Sequence, residues 1–133
     1  MQKKSTRALL WTALVCAQIV AGAAQAQTGA DAATLAKGKR LFMLCMACHA
    51  TADGGPAKIG PALNGVVGRP AGGVPGFNYS ADLKSQTFVW DEAQLNAWLL
   101  KPTAVVPGTT MAYAGMPDAA DRKALIAFLG SLK

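Results

Sequence analysis

The stretch from Ala50 to Gly76 puts glycine or proline at twelve of its 27 positions, among them Gly54-Gly55-Pro56, Gly60-Pro61 and Gly72-Gly73. Proline removes a backbone donor and glycine is the costliest residue to order, so neither a helix nor a central strand persists through it. A loop of this length is uncommon inside a small domain unless it wraps something. This stretch points to a bound group, and the rest of the sequence narrows which one.

A length of 133 residues allows one ordinary domain and excludes a Rossmann or barrel enzyme. With 52% apolar residues the composition is that of a globular chain. There is no glycine-rich nucleotide loop, no cluster of paired carboxylates and one histidine, His49, so a catalytic triad or multi-histidine metal site is excluded.

Residues 1–26 read as an address. Lys3, Lys4 and Arg7 give a positive start, Ala8 to Ala23 is largely apolar, and Ala24-Gln25-Ala26 offers the small residues that signal peptidase requires. Cleavage after Ala26 predicts a single mature domain, 27–133, exported to the periplasm and without a membrane span. The apolar run is short for a spanning helix, the reading that competes with cleavage. Removing the leader lowers the net charge from +6 to +3 and leaves no Lys/Arg run, which argues against nucleic-acid binding. It also removes Cys16, leaving Cys45 and Cys48.

The fold expected is all-α. Asp31 to Cys48 reads as a first helix, with Asp31 or Thr34 as cap and Leu35, Leu41, Phe42 and Cys45 as an apolar stripe. Tyr79 to Ser85 is a short helix, and Asp91 to Lys101 a longer one with Leu95, Trp98 and Leu99 on one face, stopped by Pro102. Val105 to Pro117 is loop. Asp118 to Lys133 is the last helix, with Asp118 as N-cap and Leu125, Phe128, Leu129 and Leu132 as its buried face.

Cys45-Met46-Ala47-Cys48-His49 carries the chemistry. Two thiols three positions apart can each add to one vinyl group of a haem, and the adjacent histidine then binds the iron as its proximal ligand. The competing readings are a thioredoxin-type redox pair, which needs a βαβ surround, half a zinc site, which lacks its other ligands, and a small structural disulfide. One covalent haem c also explains the wrapping loop. For the opposite face of the iron, Met43 and Met46 lie too near the attachment site. Met111 sits far along the chain in the loop Val106-Pro107-Gly108-Thr109-Thr110-Met111 and is the expected distal ligand, with Met116 the runner-up. The competing reading of Met111 is core filler.

Together these residues resemble class I c-type cytochromes, the mitochondrial type and its bacterial periplasmic relatives. The resemblance runs from Gly38 to Leu129 through Phe42, Ile59-Gly60-Pro61, Gly68-Arg69, Gly76-Phe77-Asn78-Tyr79, Trp90, Pro107-Gly108-Thr109-Thr110-Met111 and Leu125-Ile126-Ala127-Phe128-Leu129. It implies the cytochrome c fold, with N- and C-terminal helices crossing and shorter helices and long loops around the haem. It implies that the Pro61 carbonyl accepts a hydrogen bond from His49, that Arg69, Tyr79 and Trp90 surround the haem propionates, and that Gly38 lets the terminal helices cross closely near Leu125 and Phe128. Trp98 and Thr109 complete the implied haem environment. Trp98 stands where the family usually has a tyrosine, Leu83 where many members have an asparagine, and Tyr113 where a phenylalanine is usual. Leu44, Thr103, Thr110 and Pro117 occupy places where mitochondrial members carry lysines, while Lys58 is retained, so weak electrostatic steering is expected.

The function implied is a monomeric electron carrier, not an enzyme. Its donor would be a quinol-oxidising cytochrome complex or a dehydrogenase, and its acceptor an oxidase, a peroxidase or a photosynthetic reaction centre. The alternative is a dedicated cytochrome subunit or electron acceptor of a periplasmic dehydrogenase. A peroxidase or gas sensor would need an open iron site, which a held Met111 would close.

Overall fold

A computed structural model describes residues 31–54 and 58–133. The leader and its cleavage site lie outside the described residues. Among the described residues five helices follow in order: α1 over residues 31–42, α2 over Ala81–Lys84, α3 over Glu92–Leu100, α4 over Pro102–Val105 and α5 over Ala119–Ser131. Among the described residues no helix is long and apolar enough to cross a membrane.

α1 is shorter than the sequence pattern implies. After residue 42 the chain continues as tight turns, with Leu44 N–H donating to Leu41 O at 3.1 Å, Cys45 N–H to Phe42 O at 2.8 Å and Cys48 N–H to Cys45 O at 3.0 Å. Bonds of this spacing bring positions three apart onto one side, which suits a pair of cysteines that must meet one group. The helix already runs through Thr34, so Thr34 does not cap it, and Leu35 is 39% exposed and outside the apolar stripe.

The short helices are set by their caps. Ser80 Oγ accepts from Leu83 N–H at the start of α2, so the helix begins two residues later than Tyr79. Asp91 Oδ1 accepts from Gln94 N–H at 2.7 Å and starts α3. Lys101 is extended (φ −162°, ψ 97°), as a residue before proline prefers, and α3 ends there. Pro102 then opens α4, a turn that the sequence reading did not assign, having taken Pro102 only as a stop. The residue that stops one helix is also the favoured first residue of the next.

α3 packs on α4 and α5. Asp118 Oδ1 accepts from Asp121 N–H at 2.8 Å and fixes the start of α5. The buried face of α5 is Arg122, Ala124, Leu125, Ile126 and Leu129, while Phe128 and Leu132, expected there, are half-buried at its margin. α1 crosses α5 at Gly38, where an added Cβ would lie 2.0 Å from Ala124 O and 2.7 Å from Phe128 Cβ. Phe42 meets Phe128 beside this crossing at a ring separation of 5.3 Å, and Lys37 pairs with Asp121 at 2.6 Å.

Among its described residues the glycine-rich stretch holds no helix. It is tied to the rest of the unit by single backbone bonds: Gly65 N–H to Leu132 O at 2.9 Å, Gly68 N–H to Trp90 O at 3.0 Å, Trp90 N–H to Arg69 O at 2.9 Å and Ala71 N–H to Phe88 O at 2.9 Å. The last three surround an isolated antiparallel bridge between Pro70 and Val89, the only sheet-like pairing among the described residues.

Candidate haem site

The attachment turn is closed from both sides. Gly60 N–H donates to Cys48 O at 2.7 Å, Leu63 N–H to Ala50 O at 2.9 Å, and the Lys58 ammonium to Met46 O. His49 Nδ1 lies 2.8 Å from Pro61 O. A carbonyl only accepts, so Nδ1 carries the proton and Nε2 keeps its lone pair for a metal. Gly60 makes this possible: a Cβ there would sit 2.4 to 2.8 Å from three atoms of the His49 ring. Burial lowers the His49 pKa; the Pro61 bond works in the opposite direction and Lys58 adds to the lowering.

Cys45 and Cys48 are both half-buried free thiols. Burial raises the Cys45 pKa and the neighbouring Cys48 raises it further. Tyr113 lies close enough to Cys45 for that thiol to contribute to its own raised pKa, after burial.

The two candidate methionines differ. Met116 is a core residue, 7% exposed, and its N–H donates to Leu99 O at 2.7 Å. Met111 is half-buried at the margin of the core. Thr109 Oγ1 accepts from Met111 N–H at 3.2 Å, so the threonine shapes the turn carrying that side chain.

Arg69 is linked to both Trp90 and Tyr79. Trp90 and Arg69 share a backbone bond, and the Arg69 charge acts on the Tyr79 hydroxyl. Arg69 donates to Ala62 O at 2.9 Å and to Asn64 O, and Tyr79 Oη accepts from Val74 N–H at 3.3 Å. Burial raises the Tyr79 pKa, with the Val74 bond and Arg69 lowering it. Trp90 and Trp98 are edge to face at 5.0 Å, and Phe88 continues the stack against Trp90 at 4.8 Å.

A family model described as Cytochrome c matches residues 35–133. The chain belongs to the cytochrome c family. It is 44% identical over 95 residues to cytochrome c2 of Rhodomicrobium vannielii, covering 71% of this chain and 76% of that one. It is 45% identical over 85 residues to cytochrome c-550 of Ancylobacter novellus, covering 62% and 79%. Among solved structures it resembles cytochrome cH from Methylobacterium extorquens, with a TM-score of 0.68, 39% identity, and coverage of 72% of this chain and 96% of that one.

The all-α cytochrome c fold expected from the sequence is therefore the fold found. Proteins of this family are electron carriers with covalent haem c and its iron, and Cys45-Met46-Ala47-Cys48-His49 fits the attachment motif. The residues of this cytochrome suit that group. Two free thiols adjoin an imidazole whose tautomer leaves Nε2 open, and the missing side chain of Gly60 keeps the ring in place.

Two groups of residues escaped the sequence reading. Gly60 was visible only as part of a motif, although its close approach to His49 is what the motif requires. Arg122 and Asn96 were not singled out. The signal for Arg122 was its spacing, since 122, 125, 126 and 129 form one helical face that is otherwise apolar.

Proposed function

We propose that this cytochrome is exported to the periplasm, where as a monomer it carries single electrons between a respiratory or photosynthetic donor and acceptor. Cys45 and Cys48 would hold the haem by thioethers, and His49 Nε2 and the Met111 sulfur would bind its iron. The bond between His49 Nδ1 and Pro61 O carries this reading, because it leaves Nε2 as the one ring nitrogen able to bind a metal.

When bound, the haem supplies a one-electron iron couple. His49 and Met111 would both bind the iron and so keep substrates off it. Arg69, Tyr79 and Trp90 would hold the propionates, with Trp98 and Thr109 completing the haem environment. Pro61 and Gly60 fix the imidazole, so the histidine would not have to reorient on electron transfer.

The donor is a quinol-oxidising cytochrome complex or a dehydrogenase, and the acceptor an oxidase, peroxidase or reaction centre. A second reading, a subunit dedicated to one periplasmic dehydrogenase, is favoured by Leu44, which stands 70% exposed beside the attachment turn. Reduced holoprotein added in trace amount to membranes of the native host separates the two. Repeated oxidation and re-reduction, with monomeric elution from periplasm, supports the shuttle. Elution with a dehydrogenase and no turnover on membranes supports the subunit.

A further inference from the structure

Arg122 is 7% exposed and is the one charged residue among the described residues with its side chain in the core. Its guanidinium uses three acceptors, all neutral. Nη1 donates to Met116 O and Pro117 O, each at 2.8 Å, and Nε donates to Asn96 Oδ1 at 2.8 Å. One side chain of α5 therefore ties α3 to the end of the loop that carries Met111.

We propose that Arg122, aligned by Asn96, is a positioning residue that sets how firmly Met111 is held on the iron; this rests on Met111 being the distal ligand. The loop has a firm entry, where Val106 N–H donates to Pro102 O at 2.9 Å and Val106 is fully buried. Between Thr109 and Met116 its backbone bonds are local, as in Tyr113 N–H to Met111 O at 3.0 Å. Its exit is fixed by Met116 N–H on Leu99 O at 2.7 Å and by the two carbonyls that Arg122 holds.

The strength of that exit follows from burial. A buried cation that loses an acceptor has no water to replace it, so moving residues 116 and 117 leaves the guanidinium short of partners. Gly115 blocks the other direction: at φ +112° it lies so close to α3 that a Cβ would be 2.0 Å from Leu100 O. The loop is thus pressed against α3 on one side and held by Arg122 at its end. Moving Met111 away from a bound iron would require the Gly115 contact or the Arg122 bonds to give way.

Imidazole reports this opening in the full holoprotein, because its apparent affinity scales with the fraction of molecules in which the iron is accessible. Arg122→Lys keeps the charge but loses the planar fork that spans the carbonyls and Asn96. It should raise imidazole affinity by about tenfold or more. Asn96→Ala, which leaves the bonds to the loop in place, should raise it about threefold and serves if Arg122→Lys does not fold. Ile126→Val on the same helix loses stability while leaving every hydrogen bond of Arg122 in place, and should change imidazole affinity by less than about twofold.

A rise that merely tracks global unfolding in denaturant, equal in Arg122→Lys and Ile126→Val at matched stability, overturns the inference. So does unchanged imidazole affinity in both Arg122→Lys and Asn96→Ala. Met111→Ala, measured alongside, separates the two levels. If it retains the far-red sulfur–iron band, the ligand assignment fails and this inference with it. If it loses the band while Arg122→Lys binds imidazole like the parent, only the positioning role fails.

Discussion

The two sides of the site are held in opposite ways. The histidine side, residues 45 to 63, is one stretch of chain closed on itself by bonds between its two ends: Gly60 N–H on Cys48 O, Leu63 N–H on Ala50 O, and His49 Nδ1 against Pro61 O. It stays near the surface, with Met46 and Ile59 exposed. The methionine side has no such closure. Its loop borrows its rigidity from α3, α4 and α5 through Val106, Met116, Gly115 and Arg122. On the proposed ligation, one ligand would be fixed by hydrogen bonds within its own stretch of chain and the other by packing against α3, α4 and α5. The methionine should therefore yield first when the fold is disturbed, and the histidine last.

Met111→Ala breaks this comparison on its weaker side and has the largest expected effect. The oxidised protein should lose its far-red sulfur–iron band completely and gain carbon monoxide binding when reduced, with covalent haem content unchanged. Spectra of the purified variant check all three. Gly60→Ala attacks the other side. Its Cβ would meet the His49 ring below 3 Å, and neither the ring, held by Pro61, nor the backbone has room to move. A loss of about 1–3 kcal/mol of stability and a lower yield of attached haem are expected, read by denaturant titration of the holoprotein.

The contrast between the two sides also explains what could be read in advance. Cys45, Cys48 and His49 stand together in the sequence, and the glycine-rich loop after them announces a wrapped group. Asp91 and Asp118 marked helix starts because a cap is a local bond. The methionine side was legible only as a far-off loop with a sulfur. Arg122 and Asn96 are 26 positions apart, and nothing local in either segment says that they meet. The end of α1 was misplaced for a related reason. The apolar spacing continues to Cys45, but the turn that presents two cysteines to one group replaces helix after residue 42. α4 was missed because Pro102 was read as a stop and not also as a start.

Met116→Leu sharpens the comparison by testing the other methionine. Met116 is buried among apolar residues, and a near-isosteric exchange there should cost less than about 1.5 kcal/mol and leave the sulfur–iron band intact. Loss of the band in Met116→Leu but not in Met111→Ala would exchange their roles. The smallest expected effect concerns the surface. Leu44, Thr103, Thr110 and Pro117 are exposed and uncharged, and the Lys58 ammonium is engaged with Met46 O. The rate of electron transfer to membranes should fall only about twofold between low and moderate salt, whereas a steep fall would show that charge steers the encounter.

The central claim is a haem iron closed on both faces, by His49 from the attachment turn and by Met111 from the packed loop. The most direct test is the visible spectrum of the mature protein, produced in a host with haem-attachment machinery, oxidised and reduced, before and after carbon monoxide. The account predicts sharp low-spin bands, a far-red sulfur–iron band in the oxidised form and no response to carbon monoxide. A high-spin spectrum, or rapid carbon monoxide binding, would contradict it and make the iron an open site for catalysis or sensing.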